Sequence, residues 1–348
     1  MRPLRHCERL ASLEAIWGGV KSSSGQGDKG IARRCNYRMS RKSAQEECMV
    51  RKEEFDRNPH LFVETKIKDF AAGSVKNQLP AFNCEPIFDA PLVGFADGDD
   101  PIFQYYKVVV SDFHLTPREA WERYLQGAGA GSGQPDNLRV ISFVMPITDA
   151  TRRSLAAESI VPSLRWNHTR WQGHDFITEL SNYVISLLGE LGYHGVAPEL
   201  ASFFERREMP SGLVSNWSQR HIAYAAGLGT FSLSDGFITP RGIAMRCGSV
   251  VTDAPLNPSP RTYKHHLANC LFYRGESCGR CMQRCPVGAI KESGHDKIRC
   301  REFMQGRQKE ILKELGREEG YMGRYVGCGF CQVKVPCEFQ IPPAGSGS

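Results

Sequence analysis

Thirteen of the 348 residues are cysteines, and their spacing separates two kinds of chemistry. Cys7, Cys35, Cys48 and Cys84 are scattered, whereas Cys270, Cys278, Cys281, Cys285, Cys300, Cys328, Cys331 and Cys337 crowd into the last quarter of the chain. Thiolates are soft ligands, and clustered C-x2-C pairs hold zinc or iron–sulfur centres. Nothing near the start combines a basic end, an apolar stretch and a small-residue cleavage site, so disulfides are the weaker account of the clustering.

Cys278-x2-Cys281-x3-Cys285-Pro286 matches the last three cysteines and the proline of a bacterial ferredoxin loop. In two-cluster ferredoxins the cysteine before proline crosses to the other cluster. By that logic one 4Fe-4S cluster takes Cys285, Cys300, Cys328 and Cys331, and the other takes Cys278, Cys281 and Cys337. The second set lacks its usual first cysteine, because Gly275 stands at that position. Cys270 is the nearest upstream thiol and the expected fourth ligand. Cys247 is its rival, and a cluster with one open or non-cysteine iron site is a third option. A zinc ribbon is the competing metal reading, but it leaves Cys285, Cys300 and Cys337 without a purpose.

The elements around these cysteines read as a mixed α/β chain. Thr116-Pro117-Arg118-Glu119 is a capping box with proline at the first helical position, predicting a helix start. The glycine-rich 126–137 reads as a loop and "LRVISFVMPI" (138–147) as a buried strand. Phe176, Ile177, Leu180, Val184, Leu187, Leu188 and Leu191 recur at helical spacing until Gly192, predicting a helix over 174–191, with a strand at "GVAPEL" after it. "RHIAYAAGLG" reads as a helix ending at Gly227 or Gly229. Residues 236–256 read as a β-hairpin turning at Pro240-Arg241-Gly242. Strand, helix, strand in this order predicts helices packed on a sheet.

Upstream of the clusters, "AAGLGTFSLSDGFITPRGIAMRCGSVVTDAPL" (225–256) resembles the cobalamin-binding segment shared by epoxyqueuosine reductases and reductive dehalogenases: a helix with a G-L-G turn, an apolar hairpin and a T-D-x-P-L strand end, ahead of a double-cluster module. The resemblance covers about residues 138–340. It implies a nitroreductase-like, cobalamin-binding α/β core at 138–262 and a ferredoxin-like domain at 263–342, behind a basic extension (1–48) and an accessory segment (49–137). It implies that electrons pass through two 4Fe-4S clusters to cobalamin. Gly227, Leu228 and Gly229 would allow close approach of the corrin, with Thr230, Ser232, Ser234 and Ser249 hydrogen-bonding its amides or nucleotide tail.

The general-acid aspartate of epoxyqueuosine reductases lies in a G-x-D-Y-H segment opening a helix, and Gly173-His174-Asp175-Phe176-Ile177 stands at the matching place. Asp175 is therefore the expected proton donor, although Phe176 and Ile177 replace the Tyr-His of the motif. "RWNHTRWQGH" (165–174) reads as a pocket-lining loop before that helix, with His168 as a proton shuttle and Arg170 as an anion holder. Tyr224 is a further candidate, since reductive dehalogenases use a tyrosine as proton donor.

With 41% hydrophobic and 24% charged residues the composition is that of a folded globular chain, and no apolar run approaches the roughly 18 residues of a membrane span. The formal charge of +6 is concentrated in residues 1–48, which hold ten Lys/Arg against five Asp/Glu, leaving +1 for the rest. A basic stripe on the folded body is not indicated, so nucleic acid is not an expected partner. The expectation is a cytoplasmic reductase of a small organic substrate, fed by a low-potential donor such as ferredoxin or flavodoxin. Two alternatives stand beside it: an electron-transfer protein that reduces another corrinoid protein, and an epoxyqueuosine reductase acting on tRNA.

Overall fold

The computed structural model describes residues 41–128 and 135–345, with side chains from 49 onward apart from that of Ala128. Most of the basic extension and the middle of the 126–137 loop lie outside the described residues. Helices α1 (Arg41–Arg57) and α2 (Pro59–Gly73) come first. Asn58 caps α2 by accepting from the Leu61 amide at 3.2 Å, and Pro59 follows at the first helical position. Two-residue strands β1 (Gln78–Leu79) and β2 (Glu85–Pro86) pair and lead into β3 (Leu92–Asp97).

Helices α3 (Ile102–Val109) and α4 (Pro117–Ala128) follow. The predicted capping box opens α4: Glu119 accepts from the Thr116 amide at 2.8 Å and the Thr116 hydroxyl from the Glu119 amide at 3.2 Å. Strand β4 (Arg139–Pro146) is the predicted buried strand. After α5 (Asp149–Ala156) comes α6 (Leu164–Glu190), 27 residues long, and then the short strand β5 (Gly195–Val196). A hairpin of β6 (Arg206–Met209) and β7 (Gly212–Ser215) precedes α7 (Gln219–Ala225).

The central sheet has the order β3-β4-β10-β5, where β10 is Met245–Thr252, and every pairing in it is antiparallel. Because β3 is an edge strand of this sheet, the core draws on residues from both sides of the boundary expected at 137/138. One face is covered by α6 through Phe176, Ile177, Leu180, Val184 and Leu188, with α2 stacked behind it (Phe70–Tyr183 centroids 4.2 Å apart). Full burial of each such side chain contributes about 1.5–3 kcal/mol. The opposite face carries Phe103, Trp121, Trp217 and Ile222 from α3, α4 and the α7 region.

Three local expectations change. Helix α6 begins ten residues before the predicted start, where Ser163 caps it by accepting from the Trp166 amide at 3.2 Å. Its first three turns bury Trp166, Asn167, His168 and Thr169 instead of aliphatic residues, so a hydrophobic periodicity could not reveal them. Gly173 lies inside the helix because Phe88 crowds its Cα, and an added Cβ would come within 2.7 Å of that ring. The predicted 236–256 hairpin keeps its turn but not its pairing: β9 (Phe237–Ile238) pairs with β8 (Thr230–Phe231), while β10 enters the central sheet. The segment predicted as strand at 195–200 is extended only at Gly195–Val196 and then makes a tight turn over Pro198–Leu200.

Candidate cluster-binding site and adjoining cavities

Beyond residue 263 the chain is mostly turns, with helices α8 (Arg280–Arg284), α9 (Lys297–Glu302) and α10 (Gln308–Glu314). These elements bring the clustered cysteines into two neighbouring groups. Cys270, Cys278, Cys281 and Cys337 line one small apolar cavity and lie within electrostatic reach of each other. Cys285, Cys300, Cys328 and Cys331 form the second group. Cys331 also borders the first cavity and feels Cys281, so the groups adjoin. All eight are free thiols. Burial pushes the Cys281 and Cys300 thiols up to about 12 and raises Cys328, Cys331 and Cys337 as well.

Cys270 therefore stands with the group that lacked a fourth thiol. Cys247 does not: it borders a different cavity, its Sγ 3.3 Å from the Met245 sulfur. Among the described residues no three His, Cys, Asp or Glu side chains converge closely enough to share one metal ion.

Local sequence explains the placement. After Cys285 the turn closes through Gly288 at φ +61°, whose amide donates to the Cys285 carbonyl, and the Ala289 amide donates to the Cys285 sulfur at 3.2 Å. The loop 320–331 is gripped by the first turns of α6. Asn167 donates to the Met322 and Val326 carbonyls (3.1 and 2.8 Å) and accepts from the Met322 amide (2.8 Å). Trp166 and Trp171 donate to the Cys328 and Tyr325 carbonyls at 3.3 and 3.1 Å. The Cys337 segment is held by the 239–242 turn, where the Ile243 amide donates to the Cys337 carbonyl at 2.9 Å. Gly242, at φ +86°, meets the backbone of Glu338 and Phe339 so closely that a Cβ would lie 2.2 Å from the Glu338 carbonyl oxygen.

The other sequence-predicted residues are distributed as follows. His168 is buried, its Nε2 2.9 Å from the Gly320 carbonyl, and Arg170 bonds the Tyr325 hydroxyl at 2.5 Å, so both face the cysteine loop. Asp175 is exposed in mid-helix, next to His174, which lines a cavity. Gly227 and Gly229 pack against the protein's own backbone at Pro260 and Ile238, and Leu228 covers Gly94 of β3. The Thr230 hydroxyl accepts from the Asn269 amide, and Ser249 bonds Trp217 and Gln219. Ser232 and Ser234 bond each other at 3.1 Å; both border the small cysteine cavity, and Ser232 also borders a larger one.

Two larger cavities lie beside the cysteine groups. One, of about 280 Å³, lies at the start of β10 between α6 and α7; its wall includes His174, Glu199, Arg246, Cys247 and Gln332, the last directly after Cys331. The other, of about 480 Å³, is lined by Tyr105, Tyr106, His221, Tyr224 and Phe231. Arg220 belongs to both. Arg246 was not singled out in the sequence, although a lone charge inside the otherwise apolar "GIAMRCGSVV" marks it. Partial desolvation against the cavity wall, with Arg170 and Arg246 nearby, lowers the pKa of His174, which is otherwise exposed.

No family model matches the chain, and no curated protein matches it. Solved structures of epoxyqueuosine reductases align with it. One from Bacillus subtilis, with its catalytic loop swung out of the active site, is 15% identical over 74% of this chain and 65% of its own, at a TM-score of 0.39. A selenomethionine-labelled form is 16% identical over 71% and 61%, and a form with a tRNA stem loop 16% identical over 79% and 64%, both at 0.39. The chain thus spans a little under two thirds of each of them.

Proposed function

We propose that this chain is an iron–sulfur reductase that holds two 4Fe-4S clusters and reduces a small molecule in the 280 Å³ cavity beside them. The observation that carries the reading is the gathering of eight free thiols, from a span of 68 residues, into two adjoining groups of four. The donor set fits: buried thiols pushed upward in pKa need cationic iron to become thiolates, and thiols ranged around a cavity suit a cube better than a single tetrahedral ion. Cys270, Cys278, Cys281 and Cys337 would hold one cluster, and Cys285, Cys300, Cys328 and Cys331 the other. Bound clusters supply one-electron transfer at a potential set by burial and hydrogen bonds to sulfur.

The chain's own residues do the rest. The grip of α6 fixes the Cys328–Cys331 loop, and Gln332 carries that loop to the wall of the cavity, where a molecule would lie next to the electron source. His174, whose pKa is lowered, can donate or accept a hydrogen bond there as the neutral imidazole. Asp175 next to it stays a candidate proton donor, and Tyr224 serves in that role in the larger cavity.

The cobalamin contacts inferred from the resemblance fit less well. The Thr230 and Ser249 hydroxyls are engaged inside the protein, and Gly227 and Gly229 abut protein backbone, so these residues leave no face open to a corrin.

The test is anaerobic purification followed by iron and acid-labile sulfide analysis and electron paramagnetic resonance of the dithionite-reduced protein. About eight irons and eight sulfides per chain are expected. A colourless protein containing stoichiometric zinc sinks the reading. A spectrum recorded with and without hydroxocobalamin decides separately whether a corrin binds.

A further inference from the structure

The 280 Å³ cavity contains a charge that the protein does not neutralise. Arg246 lies near the start of β10, on the strand face it shares with Gly248, whose Cα is covered by Phe143 and Ile177. Its Nε is buried with no hydrogen-bond partner, and among the described residues the side chain makes no ion pair. The side chain as a whole is only part-buried, so the guanidinium meets the cavity, and a charge partly withdrawn from water without a partner is seldom kept without a use.

The neighbouring charges do not supply that partner. Glu199, the carboxylate on this wall, already accepts from Gln219 at 3.0 Å and pairs with Arg206 at 3.4 Å. Arg170 acts on Arg246 as a like charge while bonding Tyr325. Arg220, also on the wall, donates to the Asp235 carbonyl. The cavity therefore has an excess of fixed positive charge.

We propose that Arg246 anchors the carboxylate or phosphate group of a small anionic molecule in this cavity, holding it against the Cys331–Gln332 loop. The planar fork of a guanidinium matches both groups bidentately. Arg220 joins this cavity to the aromatic wall of Tyr105, Tyr224 and Phe231, so a ring attached to the anion has a place to go. The inference deepens the reductase reading by naming a substrate class, but anion binding is measurable whether or not turnover is found.

The test is calorimetric titration of the anaerobically purified, iron-loaded protein with sodium phosphate and, separately, sodium benzoate. Wild type is expected to bind at least one of them saturably, and which one binds distinguishes a phosphate from a carboxylate source. Arg246→Met should weaken that binding at least about tenfold, while Arg153→Gln, at an exposed arginine of α5, should leave it unchanged. Arg246→Met should also raise the thermal midpoint in ligand-free buffer, because it removes a partly desolvated charge that has no ion-pair partner. That rise, which loss of a merely structural arginine does not produce, shows that the variant has folded. Saturable binding of neither anion to wild type, or equal binding by Arg246→Met, overturns the proposal. Iron and sulfide content of the same samples reports independently on the clusters.

Discussion

Cys270 and Cys247 make the sharpest comparison between single residues. Both are upstream of the C-x2-C-x3-C-P run, and the sequence left them as rivals. The fold brings Cys270 to the cavity of Cys278, Cys281 and Cys337, whereas β10 carries Cys247 to a different cavity. Cys270→Ala is expected to lower iron content or to convert one cluster to a three-iron form, and Cys247→Ala to leave both unchanged. Iron analysis and electron paramagnetic resonance read the difference, and the opposite pattern transfers the ligand to Cys247.

A second residue-scale consequence concerns pH. His114 is buried, accepts from the Ser218 amide at 3.1 Å and has its pKa lowered by burial to about 4. Its folded value lies below the unfolded value of about 6.5, so the unfolded chain binds the extra proton. The stability it contributes is complete above about pH 6.5 and is lost as pH falls toward 4, amounting to about 2 kcal/mol at pH 5. Denaturant midpoints of wild type and His114→Gln at pH 7 and pH 5 check this. The pH 7-to-5 drop should be smaller in the variant, and an equal drop removes His114 as its source.

Among the elements, α6 connects the sheet to the cluster loop. Its C-terminal half packs on the sheet through Phe176, Leu180, Val184 and Leu188, and its N-terminal half holds residues 320–331. Gly329 lies under Trp166, where an added Cβ would stand 2.0 Å from the indole. Overpacking of this kind costs about 1–3 kcal/mol, and here the strain falls between Cys328 and Cys331. Gly329→Ala should therefore lose iron from the second group, and Trp166→Leu added to it should recover much of the loss. If Gly329→Ala keeps full iron, the grip of α6 is not what sets the loop.

Elements with a local signal were legible in the sequence. The capping box at Thr116–Glu119, the apolar run of β4 and the left-handed Gly227 after α7 all appear in the structure. The first turns of α6 were not, because their buried face is Trp166, Asn167, His168 and Thr169, the first three of which bond backbone groups more than 150 residues away. The same holds for the strand partners of β9 and β10, which lie outside the 236–256 segment. In the site, the cysteine spacing was readable, but the free charge of Arg246 becomes visible only once its neighbours are known.

For the molecule as a whole, the cysteine-rich end is tied into the sheet and helices rather than appended to them. Arg317 pairs with Glu158 at 2.7 Å, and Arg152, nearly buried, pairs with Glu338 at 3.4 Å. The Cys337 carbonyl is bonded by Ile243, and the Cys328 carbonyl by Trp166. Residues 263–345 contain few regular elements, and their own apolar cluster is composed largely of the cysteines with Ile290 and Val335, completed by Leu233, Ile238 and Ile243 from upstream. A segment of about 80 residues with so little core of its own falls in the range where metals or partners must supply the stability. Expressed alone, residues 263–345 should therefore bind substantially less iron than the full chain, or lose it faster to a chelator. The deficit should be largest for the group held by α6, that of Cys285, Cys300, Cys328 and Cys331. Should the fragment retain the full complement at the same rate of chelation, the clusters are held autonomously, and the contacts from Trp166, Asn167 and Ile243 orient a finished module against the cavity instead of completing it.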